Sequence, residues 1–272
     1  MSQFAKAVIP DEFTRTEMNT KFLPLIAIAG LAVISTFLLL DPIPQGSGYH
    51  QFADNRSILG IANGMDVISN LPFIIVGAWG IIFTAGLLKK SGFNSSIPPY
   101  LIFFIGIFFT GLGSTVYHSV PSNATLVWDR LPLTITFMGF FCSVISELIS
   151  RRAALILLLP LLLVGLGSAV YWAWSESLGR GDLRPYGLVQ FLPMLLIPLI
   201  FILYKLPGNY LPYTLAALVF YFISKVAELL DEQIFRLLQV MSGHTIKHVL
   251  AAAGTCCILL MLYKRRSQLT SN

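Results

Sequence analysis

Three short segments of this sequence carry residue types that can bind a metal ion and activate water. In chain order, they contain Ser114, His118, Asp129, His244 and His248. Residues four apart share one face of a helix, so each serine–histidine or histidine–histidine pair can reach a common point. Two histidines at this spacing can both bind one metal ion. The chain has four histidines, and these segments hold three of them.

The chemistry that these residue types indicate is zinc-assisted hydrolysis. Three imidazoles suit a catalytic zinc ion, which keeps one tetrahedral position open for water and lowers the pKa of that water toward ~7. Asp129 is then a candidate general base and acid. Ser114 is a candidate hydrogen-bond donor to the reacting oxygen.

Each of these residues can also be explained by a purely structural role. A histidine pair on a helix often binds no metal, and His118 alone could be a hydrogen-bonded histidine at the membrane interface. Asp129 could pair with Arg130, and Ser114 could bond its own backbone. The zinc interpretation depends on all these residues lying at the same depth of one membrane protein.

The composition requires that the elements positioning these residues lie in a membrane. The chain has 272 residues, of which 56% are hydrophobic and 11% charged, and its mean hydropathy is +0.76. A soluble domain carries roughly 25% charged residues, so this composition excludes a soluble enzyme, a coiled coil and a disulfide scaffold. The net charge of +5 does not indicate a nucleic-acid partner, because the basic residues stand at the ends of apolar runs.

Eight apolar stretches are long enough to cross a bilayer, which takes ~20 residues each. They lie at about 22–40, 62–88, 98–118, 126–149, 153–172, 186–204, 211–229 and 244–263. We therefore predict an all-α membrane protein with eight spans. The first stretch is expected to be a retained helix, because no small-residue cleavage site follows it.

The distribution of lysine and arginine predicts the orientation. Eleven of these residues fall on the side that holds both termini, and four fall on the other side. By the positive-inside rule both termini are cytoplasmic, and the histidine segments lie toward the non-cytoplasmic face. Glu147, near the cytoplasmic end of its span, is expected to reach water.

The pattern Ser114-x3-His118, then Asp129, then His244-x3-His248 resembles the alkaline ceramidases. It is also similar to their wider superfamily, which includes the adiponectin and progestin receptors and the hemolysin III-like proteins. The stretch Ile68–Asn70 looks like the start of a helix in that family, and the resemblance covers about residues 49–263.

The resemblance implies a seven-helix domain at 41–263. It would follow a cytoplasmic segment at 1–21 and an additional helix at 22–40, and precede a cytoplasmic tail at 264–272. The implied zinc ligands are His118, His244 and His248, with Ser114 and Asp129 around the zinc-bound water. The implied reaction is hydrolysis of the amide bond of ceramide or a similar N-acyl lipid to a fatty acid and an amine. The lipid chains would lie between the helices.

The sequence departs from that family where the resemblance implies calcium. The family's acidic segment is replaced here by residues that include Asp54, Asn55, Asn63 and Asp66. These supply some oxygen ligands, but the neighbouring Arg56 would oppose a cation. Calcium is therefore a weaker expectation than zinc.

Other polar residues near the same face are candidates for contact with a lipid head group: Arg130, Arg184, Gln190 and Lys225. Lys225, Glu228 and Asp231 are spaced three apart, which favours an ion-pair network with Arg130 or Arg184. Two alternatives to a hydrolase stay open. One is a receptor or sensor with a structural zinc ion. The other is a transporter, which lacks support because no internal symmetry is visible.

Overall fold

The computed structural model describes residues 15–206 and 208–270, with side chains from residue 21 onward. This part of the chain is 80% helical and contains no strand. The predicted all-α fold class is confirmed. The helices are α1 (Arg15–Leu39), α2 (Gly64–Ile68), α3 (Leu71–Ser91), α4 (Ile97–Ser119), α5 (Asn123–Leu148), α6 (Arg151–Ser177), α7 (Arg184–Leu203), α8 (Leu211–Leu229), α9 (Asp231–Leu238) and α10 (Gly243–Leu269).

Among the residues that the structure describes, eight helical segments are long and apolar enough to span a membrane, as predicted. The second span combines α2 and α3. Helix α10 continues to Leu269, into the segment 264–272 that we expect to be a cytoplasmic tail. The short helix α9 was not predicted, because eight residues with charged side chains give no hydropathy signal. The expected segment 1–21 lies mostly outside the described residues.

The helices pack mainly against their neighbours along the chain. Helix α4 packs between α3 and α5, α5 packs against α6, and α10 packs against α8 and α3. The backbones of α4 and α5 approach closely at Gly106, where a Cβ would overlap Thr136. The additional helix α1 packs against α7 at the edge of the bundle, and little of its surface is buried.

A buried ion pair joins two helices near the end of the bundle that holds the end of α10. The guanidinium of Arg265 donates to the carboxylate of Glu147 over 2.9 Å, and both side chains are less than a tenth exposed. The expectation that Glu147 reaches water is therefore wrong. The extension of α10 beyond the predicted span supplies the arginine that neutralises this carboxylate.

Candidate metal centre

The three predicted histidines meet at one end of the bundle. His118 lies in the last turn of α4, and His244 and His248 lie in the first two turns of α10. All three are buried. One nitrogen of each ring lies within 4.8 Å of a nitrogen of the other two, the one such group of metal-binding side chains in the described parts of the chain.

The separation of two of these nitrogens fits zinc. The Nε2 atoms of His118 and His244 are 3.3 Å apart. Nitrogens bound to zinc at about 2.0–2.1 Å and at a tetrahedral angle are separated by roughly 3.3–3.4 Å. The three rings therefore suit a tetrahedral metal ion with one position left for another ligand.

A hydrogen bond links the ring of His248 to the hydroxyl of Ser69. The Ser69 hydroxyl donates its one hydrogen to the carbonyl oxygen of Asp66 over 2.9 Å, and its oxygen lies 2.7 Å from Nδ1 of His248. When the hydroxyl gives its hydrogen to that carbonyl, its oxygen accepts a hydrogen from Nδ1. In the neutral ring, Nε2 then carries the free lone pair that a metal requires.

The start of α10 is held by polar contacts that orient its two histidines. Ser242 caps the helix by accepting from the Thr245 amide over 3.0 Å. Asp231 accepts from the His244 amide over 2.7 Å. The hydroxyl of Thr245 donates to the carboxylate of Asp66 over 2.6 Å. Ser242 and Thr245 were not predicted, and Asp66 was expected only as a calcium ligand. Asp231 was expected in an ion-pair network, but it has no ion-pair partner among the described side chains.

Aromatic packing and a backbone contact complete the surroundings of His118. The ring of Phe52 lies 4.7 Å from the His118 ring and 4.8 Å from the His244 ring, measured between centroids. The amide of Asn63 donates to the His118 carbonyl over 2.9 Å. The Nδ1 atom of His118 is buried and has no hydrogen-bond partner among the described residues.

Ser114 and Asp129 lie beside the histidines in one cavity. They line a space of about 270 Å³ together with His248. Helices α4 and α5 approach so closely here that a Cβ at Gly113 would overlap the carbonyl oxygen of Trp128. Only glycine permits this approach, and Asp129, which follows Trp128 in α5, lines the same cavity as Ser114.

The cavity wall also carries an ion-pair network, which includes a residue missed from the sequence. Glu228 binds Lys225 with one carboxylate oxygen and Lys247 with the other. The Nζ atom of Lys247 also lies 3.0 Å from Nε2 of His244. If His244 binds a metal, Lys247 retains Glu228 as its partner. Gln190 donates to the Tyr221 hydroxyl over 3.0 Å on the same wall.

The four head-group candidates separate into two groups. Arg130, Gln190 and Lys225 line the cavity. Arg184 does not: it binds the carboxylate of Asp182 at 2.8 Å and donates to the Leu40 carbonyl. The hydrogen bond from Arg184 lowers the pKa of Asp182 below its ordinary value. The predicted ion-pair network with Arg130 or Arg184 is wrong, because Lys247 takes that place beside Glu228.

The four candidate calcium ligands each have another environment. Asp54 binds Arg56 over 2.7 Å, and this hydrogen bond lowers the pKa of Asp54. Asn55 is exposed. Asn63 donates to His118, and Asp66 accepts from the start of α10, as described above. Arg56 thus takes the place beside Asp54 that a cation would need, and the calcium expectation gains no support.

Comparisons with known proteins add no family assignment. No protein-family model matches the chain, and no curated protein matches it. The resemblance to the alkaline ceramidases therefore rests on the residues themselves.

Proposed function

We propose that this protein is a zinc-dependent lipid amide hydrolase of the membrane, similar to the alkaline ceramidases. The observation that carries the proposal is the meeting of His118, His244 and His248, with a 3.3 Å spacing between two of their nitrogens. A carboxylate and a hydroxyl lie in the adjoining cavity, as the proposed chemistry requires. The lysine and arginine distribution supports a position of this end of the bundle at the non-cytoplasmic face.

The zinc ion would be held by the three imidazoles, where it supplies Lewis acidity and an activated water at neutral pH. The chain's own residues then have distinct tasks. Asp129 takes a proton from the attacking water and returns it to the amide nitrogen as the carbon–nitrogen bond breaks. The Ser114 hydroxyl donates a hydrogen bond to the oxygen on which negative charge develops. The products are a fatty acid and an amine.

The cavity fits a substrate that stays in the membrane. Apolar side chains, including Phe73, Leu133 and Phe137, line it beside the polar residues. Such walls accept an acyl chain, while the polar groups orient the amide. Exclusion of bulk water strengthens the electrostatic contacts made there.

Turnover by purified protein tests the proposal. Full-length protein in an uncharged detergent is incubated with zinc and with N-dodecanoyl amides, including C12-ceramide, and released dodecanoic acid is measured. We expect turnover that falls at least 100-fold in His244→Ala and in Asp129→Asn. A matched control is His50→Gln, because His50 binds Tyr117 and Asn123 outside the histidine cluster.

The alternatives give different results in the same assay. Zinc bound by the protein without turnover of any amide would favour a receptor or sensor built on the same scaffold. Turnover that persists in His244→Ala at the wild-type rate would contradict the proposed role of the histidines.

A further inference from the structure

A buried arginine lines the cavity without a carboxylate partner. Arg130 is 4% exposed, and no carboxylate oxygen lies within 4.0 Å of its nitrogens in the parts of the chain that the structure describes. Within those parts of the chain, its one side-chain hydrogen bond runs from Nη2 to the neutral Oε1 of Gln45 over 2.7 Å. Its Nη1 atom is buried and has no partner among the described residues. A buried guanidinium in this state is costly unless an anion binds it.

The neighbouring aspartate does not take this role. Asp129 precedes Arg130 directly in α5, and adjacent helical residues point in different directions. Asp129 lines the cavity beside Ser114. The other carboxylate of the cavity, Glu228, is shared between two lysines.

Three aromatic rings hold the guanidinium in place. The centroid of the Trp172 ring lies 3.9 Å from its central carbon, that of Tyr186 4.8 Å, and that of Tyr49 5.5 Å. Stacked rings cover the faces of a guanidinium and leave the N–H groups at its edges. Those edges form the planar fork that binds a carboxylate or similar oxyanion.

The charge of the cavity wall also favours an anion. Its charged side chains are Arg130, Lys225 and Lys247 against Asp129 and Glu228, which leaves one net positive charge. Ceramide carries only neutral hydroxyl groups at its polar end, so it would leave Arg130 without a counter-ion.

We propose that Arg130 binds an anionic group on the polar side of the substrate. This inference rests on the proposed function and narrows its substrate class to N-acyl lipids that bear a carboxylate or a similar oxyanion, such as N-acyl amino acids. The acyl chain lies against the apolar wall, and the anion binds the free edge of the Arg130 guanidinium. Arg130 is then a residue that determines specificity.

Binding of matched probes tests this assignment. Isothermal titration calorimetry on the full-length protein in an uncharged detergent compares N-dodecanoylglycine with N-dodecanoylethanolamine, which share the chain and the amide but differ in charge. We expect the anionic probe to bind about tenfold or more tightly, as a charge-assisted hydrogen bond gives. N-acetylglycine, which has the anion without the chain, should bind at least tenfold more weakly than N-dodecanoylglycine. Equal affinity for the two long-chain probes overturns the proposal. Equal affinity for N-dodecanoylglycine and N-acetylglycine contradicts the inference that the ligand is a lipid.

Variants separate recognition from folding. Arg130→Gln should lose the preference for the anionic probe, and Arg130→Lys should keep part of it, because a charge remains without the planar fork. Arg180→Gln is the matched control, since Arg180 is exposed on an outer loop and should keep the full preference. A preference that survives in Arg130→Gln contradicts the assignment. If that variant fails to fold, the titrations of wild type and of Arg130→Lys still show whether the preference for the anionic probe depends on Arg130.

The test also distinguishes the two proposals. The titrations are made on zinc-free protein, so they do not depend on turnover. An anionic preference without hydrolysis of any amide would support the role of Arg130 and contradict the hydrolase. Hydrolysis without such a preference would support the hydrolase and contradict the role of Arg130.

Discussion

The contact between Ser69 and His248 permits a sharp test of the metal centre. In Ser69→Ala, Nδ1 of His248 loses the acceptor that lies 2.7 Å away. The ring is then free to place its hydrogen on Nε2 or to rotate, and either change removes the lone pair from the cluster. Loss of such a supporting contact typically lowers metal affinity about 10–100-fold.

A matched control exists elsewhere in the chain. The Ser168 hydroxyl donates to the carbonyl oxygen three residues earlier over 2.6 Å, as Ser69 does over 2.9 Å, but it contacts no histidine. Ser168→Ala therefore removes the same kind of backbone bond from another buried serine. It should leave zinc affinity within about twofold of wild type, because its hydroxyl is not in the network around the ligands.

The assay is competition for zinc between the protein and a chromophoric chelator at pH 7.5. We expect the apparent Kd of Ser69→Ala to rise about 10–100-fold, with folding checked by thermal unfolding of both variants. If Ser69→Ala binds zinc as tightly as Ser168→Ala, the contact with Ser69 does not hold His248 in the tautomer that binds the metal. The reasoning about its tautomer would then be refuted.

Three further predictions concern packing and charge. Gly113→Ala should destabilise the protein by about 1–3 kcal/mol through overpacking of α4 against α5, whereas Gly167→Ala, which has no neighbour within 4 Å of the added Cβ, should not lower the melting temperature. Asp54 has a pKa below its ordinary value of 3.8, so its ion pair with Arg56 should stabilise the protein fully above about pH 4 and less as the pH falls further. Between pH 7 and pH 3, the melting temperature should therefore fall more steeply for wild type than for Asp54→Asn. Glu147→Gln should destabilise the protein by about 3–5 kcal/mol because it leaves Arg265 buried without its partner. Adding Arg265→Met should restore most of the lost stability, as measured by denaturant titration. A double variant no more stable than Glu147→Gln would contradict this interpretation of the ion pair.

Much of the fold follows from the sequence, because bilayer-spanning helices need long apolar stretches. Such stretches can be read directly from the order of the residues. The histidine cluster was also predictable, since the spacing of His244 and His248 fixes their common face. Alternation of the spans then places them at the same end of the bundle as His118. None of this depends on side-chain detail.

The supporting contacts could not be predicted, because they join positions far apart in the chain. Ser69 and His248 are separated by 179 residues, and nothing in the local pattern around either one indicates the other. Lys247 was missed for a related reason. It stands between the two histidines of α10, but its role depends on Glu228 of another helix.

The central claim is that His118, His244 and His248 together bind one zinc ion, and elemental analysis of the purified protein tests it most directly. We predict about one zinc per chain in wild type and in His50→Gln, and loss of most of that zinc in each of His118→Ala, His244→Ala and His248→Ala. A zinc content that stays at the wild-type level in these three variants, or that is absent from zinc-supplemented wild type, would contradict the account.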